Sequence, residues 1–181
     1  QWRSSAASDV YKRQNMDSVL AYRKKALTVA LQRNDKRRIS SGYNNIGLLF
    51  KSANWDSAHF YFHRALNSLV PADLQDSIFL QSINDNFGLL FFENGQFDSA
   101  RYYFGKNVVV SRSLRDTSRL LQTNMEIALI ALRENKHPEA RKQLSLIKEM
   151  LFQSSHARKP ALQKRLWTLF YELASLAGNY K

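Results

Sequence analysis

Two stretches of this chain repeat one pattern about forty residues apart. Asn44–Leu66 reads NNIGLLFKSANWDSAHFYFHRAL, and Asn86–Asn107 reads NFGLLFFENGQFDSARYYFGKN. Each runs from a small residue through aromatics to a polar turn, then aromatic–Asp–Ser–Ala and further aromatics. Gly47 and Gly88 are 41 apart; Trp55 and Phe97, like Ala58 and Ala100, are 42 apart. Self-similarity at a period of roughly 20–50 residues marks a stacked repeat whose units bury their apolar faces on one another.

The pattern extends in both directions. In EIALIALRENKHPEARKQL, Ala128 and Ala140 stand 40 residues beyond Gly88 and Ala100. Asp35, Asp76 and Asp116 each precede the small residue of their repeat by twelve. Met16-Asp17-Ser18-Val19 matches Trp55-Asp56-Ser57-Ala58, 39 residues earlier, and Ala177-Gly178-Asn179-Tyr180 matches Asn94-Gly95-Gln96-Phe97.

Apolar residues at three- and four-residue steps make these units helical. The spacing predicts helices over about 17–33, 36–52, 76–93, 98–113 and 161–177. A further helix begins after Trp55 and runs to about Val70, where Pro71 stops it. The repeat at about 116–152 holds two more, with Pro138 at the first position of the second, where no amide donor is needed. Residues 153–160 form the loosest connection and the candidate hinge. Gly47 costs roughly 1 kcal/mol of helix propensity against Ala. Its retention at the repeat position predicts that the next helix approaches too closely for a side chain.

These residues resemble the tetratricopeptide repeat. Its pattern places a small residue midway along a first helix, an aromatic at the turn, and Ala twice in a second helix. Gly47, Trp55, Ala58, Phe62 and Ala65 match it, as do Gly88, Gly95, Phe97, Ala100 and Phe104, over about residues 15–181. Three features depart from it: the period exceeds the usual ~34, Asn107 replaces the second Ala, and Tyr171 takes the small-residue position of the fifth repeat. The resemblance implies an all-α fold, a right-handed α-solenoid of antiparallel hairpins. It places one second helix first, then full repeats at about 35–73, 74–114 and 115–153, then a first helix at about 158–177.

Ser4–Gln14, SSAASDVYKRQ, resembles the translation of a sequencing adapter. Residues 1–14 are therefore read as a foreign tail, either disordered or extending the first helix. The repeat array is expected to continue beyond both ends of the chain. The net charge of +12 remains +10 without those residues, so the basic bias belongs to the repeats.

Composition narrows the chemistry. The absence of Cys excludes disulfides and Cys-based zinc sites or nucleophiles. No apolar run reaches the ~20 residues of a membrane-spanning helix. The compartment stays open: the cytoplasm is favoured, with the periplasm the alternative if a signal peptide and anchor precede this segment. His59 and His63 have a metal-compatible spacing but no third ligand at a motif distance. His137 replaces a turn aromatic and is read as packing; His156 falls in the loose connection. Asp85 and Glu93 have no partner that would raise a carboxyl pKa for acid–base work. No phosphate loop or nucleophile elbow is present. No catalytic activity and no cofactor are expected.

Basic groups cluster at Arg23-Lys24-Lys25, at Lys36-Arg37-Arg38, and at Arg158, Lys159, Lys164 and Arg165. Such a face suits phosphate backbones or an acidic partner. No nucleic-acid module accompanies it. In the resembled family the first helices line a concave groove. The corresponding positions are Asn44, Asn45 and Lys51, then Asp85, Asn86 and Phe92, then Met125, Glu126 and Arg133. Asn45 and Asn86 are equivalent. Each offers a donor and an acceptor, either to an extended peptide or to a neighbouring repeat. The long repeats resemble sensor regions that precede bacterial histidine kinases or helix-turn-helix regulators, which implies protein or peptide binding within a signalling protein.

Overall fold

The computed structural model describes residues 2–69, 71–153, 159–176 and 178, and for residues 2–15 their backbone alone. Among these residues the chain is all-helical. The helices are α1 (Trp2–Gln32), α2 (Lys36–Phe50), α3 (Trp55–Asn67), α4 (Leu74–Glu93), α5 (Phe97–Ser113), α6 (Thr117–Arg133), α7 (His137–Gln153) and α8 (Pro160–Leu176). None is long and apolar enough to cross a membrane. They divide into two compact units, residues 1–90 and 91–181.

In the first unit α2 packs against both α1 and α3. Leu27, Ala30, Ile39 and Ile46 form a buried cluster, flanked by Leu20, Tyr43, Phe50 and Tyr61. Gly47 is the point of closest approach. A Cβ there would lie 2.6 Å from Cδ1 of Phe62, so only glycine lets α3 seat. Gly42 does the same for α1, since its Cβ would meet Leu27 Cδ1 at 3.0 Å. The sequence pattern drew attention to Gly47 alone.

In the second unit α6 packs against α5 and α7, and α8 packs against α6 and α7. Their shared core includes Leu121, Met125, Ala128, Leu132, Ala140, Leu144, Leu151, Leu166 and Leu173. Of the repeat positions, Ala58, Phe62, Ala65, Gly88, Ala100, Phe104, Ala128 and Ala140 are buried, while Trp55 and Phe97 are half-buried at the starts of α3 and α5. Asn107, in place of the second Ala, is also buried.

The turns share one device. Asn34, Gly95, Arg115 and Asn135 all have positive φ, between 51° and 73°. At each, two backbone amides fold back onto the preceding helix, as Arg115 N–H does onto Arg112 (3.1 Å) and Asp116 N–H onto Ser111 (2.9 Å). This left-handed exit satisfies carbonyls that the helix end would leave open. The following residue can then cap the next helix: Asp35 accepts from Arg38 N–H, and Asp116 from Arg119 N–H.

Several boundaries differ from expectation. α1 already begins at Trp2, so the backbone of residues 2–14 continues the first helix. α3 ends at Asn67 rather than near Val70, which itself lies outside the described residues. Ser68 closes it, its hydroxyl and its amide both donating to Arg64 O. α4 starts at Leu74 rather than Asp76 because Asp73 takes the capping role, its carboxylate accepting Asp76 N–H at 2.8 Å. Pro138 falls at the second position of α7, still within the turn that needs no donor. Most of the expected hinge, residues 154–158, lies outside the described residues, and with it His156 and Arg158.

Candidate functional site

The expected groove positions do not form one open surface. Asn86 Nδ2 donates to Asn44 Oδ1 at 2.9 Å, tying α4 to α2. Two further contacts brace the same region. Arg37 donates to Asp76 at 2.7 Å and to Asp73 at 3.0 Å, and Ser40 Oγ donates to the carbonyl of Ala65 at 2.7 Å. The second unit repeats the arrangement between α6 and α8. Arg165 donates to Glu126 at 2.5 Å, Arg133 pairs with Glu172, and Lys159 reaches Ser118. These partners are 39 to 42 residues apart, one repeat length.

The braces correct the sequence reading of Asn44, Asn86, Glu126 and Arg133, whose polar groups face a neighbouring helix of the same chain. Met125 is fully buried and offers a ligand no surface. Phe92 packs against Phe97 with ring centroids 5.8 Å apart, across the α4–α5 turn. Lys51 and Asp85 are half-buried. Asn45 alone is fully exposed on a groove wall, its side chain within 3.5 Å of the Ser41 hydroxyl.

That groove lies between α1 and α2. It encloses about 610 Å³ and is lined by Ser18, Val19, Tyr22, Arg23, Ala26, Gly42 and Asn45. Its floor is small and apolar; Tyr22, 76% exposed, forms one wall. The Arg23 guanidinium donates to the Asn45 carbonyl, which fixes the cation at the rim. Sequence reading placed Arg23 only in a basic cluster. The closeness of Arg23 to Asn45 depends on how α1 crosses α2.

His59 stacks on Trp55 at 4.9 Å and meets the edge of Phe87 at 5.4 Å. Burial, then the nearby His63, pushes its pKa below the usual histidine value. His63 contacts the Asn67 amide at 3.1 Å. Among the described residues no three His, Cys, Asp or Glu side chains gather where they could hold a metal.

The basic clusters are largely engaged. Arg37 pairs with Asp73 and Asp76, Arg38 with Asp35, Arg101 with Glu134, and Arg165 with Glu126. Lys24 and Lys25 remain exposed beside the groove, and Lys164 is exposed on α8. No protein-family model and no curated protein matches this chain.

Proposed function

We propose that the chain is a non-catalytic scaffold of tetratricopeptide-like hairpins, arranged as a right-handed solenoid, which binds a helical segment of a protein in the α1/α2 groove. Within a larger protein it would serve as a sensor or interaction module. One observation carries this reading. Val19, Tyr22, Arg23 and Ala26 of the groove stand 39 residues before Ala58, Tyr61, Phe62 and Ala65 of α3, and Asn45 stands 41 before Asn86 of α4. Those later residues are the surface on which α2 rests. Phe62 lies under Gly47, Tyr61 is 5.7 Å from Phe50, Ala65 O accepts from Ser40, and Asn86 donates to Asn44. The groove thus has the residue plan of a surface that receives an amphipathic helix.

A nucleic-acid reading draws on the net charge of +12. The use of Arg37, Arg38, Arg101, Arg133 and Arg165 in internal ion pairs favours the protein reading. The test is titration of a labelled peptide with the sequence of Lys36–Phe50, the helix that fills the equivalent surface. Saturable binding that Tyr22→Asp weakens by about tenfold or more supports the groove. Binding that the variant leaves unchanged refutes it. Duplex binding that falls steeply with salt would favour the alternative.

A further inference from the structure

We infer that the helix suited to this groove is α8 of a second copy, so that the chains associate head to tail; this rests on the helix-binding reading above. α2 and α8 align with a constant separation of 124 residues, pairing Ser40 with Lys164, Tyr43 with Trp167, Asn44 with Thr168 and Gly47 with Tyr171. Their burial is inverted along this alignment. Ser40, Asn44 and Gly47 are buried, whereas Lys164, Thr168 and Tyr171 are exposed. Leu166 and Leu169 of α8 are buried, whereas their counterparts Gly42 and Asn45 line the open groove. The face that α2 presents to α3 is thus solvent-accessible on α8. The face that α8 buries on α6 and α7 is solvent-accessible on α2.

The side chains fit this exchange. In the place that α2 takes over α3, Trp167 lies against Tyr22 as Tyr43 lies 6.4 Å from Tyr61. Thr168 meets Asn45 where Asn44 meets Asn86, and its hydroxyl accepts from the Asn45 amide. Tyr171 lies over Arg23 where Gly47 lies over Phe62. An aromatic face over a guanidinium is favourable, and the larger ring answers the loss of the phenylalanine. Trp167 is 49% exposed and Tyr171 66%, so both carry substantial apolar surface into the contact. The two surfaces differ, so the contact is heterologous and does not close on itself.

Sedimentation velocity across a concentration series tests this. The full chain is expected to grow beyond a dimer as concentration rises. Tyr22→Asp blocks the groove and Trp167→Asp blocks α8, so each variant alone stays monomeric. Their equimolar mixture forms a dimer and stops there, because one intact α8 meets one intact groove. A monomeric parent chain overturns the proposal, as does a mixture that fails to pair. The cysteine-free sequence allows a second readout: Asn45→Cys mixed with Thr168→Cys cross-links between chains faster than either variant alone. Equal rates overturn the proposal. If the parent is monomeric yet binds the Lys36–Phe50 peptide, self-association fails while the helix-binding groove stands; if it binds neither, both fail.

Discussion

Asn86 and Asn44 are 42 residues apart in sequence, and the amide of one donates to the carbonyl of the other at 2.9 Å. Asn44 is only 6% exposed, so water cannot replace the donor. Asn86→Ala is therefore expected to destabilise the fold by ~1–2 kcal/mol. A double-mutant cycle with Asn44→Ala should give a coupling of ~0.5–1.5 kcal/mol in urea denaturation. Asn45→Ala, at the equivalent but exposed position, should change stability by less than ~0.5 kcal/mol. Equal effects at Asn45 and Asn86 would show that the brace contributes nothing.

Gly47 and Gly105 should respond to alanine with opposite signs. Both lie within helices, where Ala gains roughly 1 kcal/mol of propensity. At Gly47 the new Cβ would fall 2.6 Å from the Phe62 ring, and overpacking outweighs that gain by ~1–3 kcal/mol. At Gly105 nothing lies within 4 Å, so Gly105→Ala should stabilise by ~0.5–1 kcal/mol. Thermal melts of the two variants decide it, and Phe62→Leu should relieve part of the Gly47→Ala defect.

Arg115 holds a left-handed turn at φ 53° with a full side chain. That conformation costs a non-glycine residue roughly 1–2 kcal/mol. Arg115→Gly removes the strain but adds unfolded-state entropy. A net gain of ~0.5–1 kcal/mol is expected, read as a shift in the urea midpoint at constant slope.

Acid should weaken the first unit through Asp76. The hydrogen bond from Arg37 holds its carboxyl below the usual range, and the Ala72 amide adds to this. A depressed carboxylate stabilises the fold fully above its unfolded-state value. That contribution is lost as pH falls through the lower folded value. Asp76→Asn should flatten the acid limb of a stability–pH profile. His59, its pKa lowered by burial, adds a loss of the same sign that starts below its ordinary value of 6.5, and His59→Phe should remove that portion alone.

Much of the local structure was legible in the sequence. The period located seven of the helices to within a few residues, because apolar spacing and turn residues act over one or two turns. Gly47 was legible as a close approach because a helix-breaking residue recurred at one repeat position. α3 and α4 were misjudged at their facing ends because two neighbours, Ser68 and Asp73, took capping roles that the repeat assigned elsewhere. The candidate site was less legible. Asn45 and Asn86 are identical by repeat position, yet one faces a groove and the other a neighbouring helix.

By itself, then, the sequence determined the helical pairing, its period, its turns and its small-residue contacts, all of which follow from the chemistry of nearby residues. Tertiary structure decided which polar side chains are occupied. Asp76, Asn86, Arg165 and Glu172 find partners 39 to 42 residues away, and such partners are fixed only when one helix lies across another. It also decided that Arg23 and Asn45, 22 residues apart, share one groove, because the crossing of α1 over α2 brings them together.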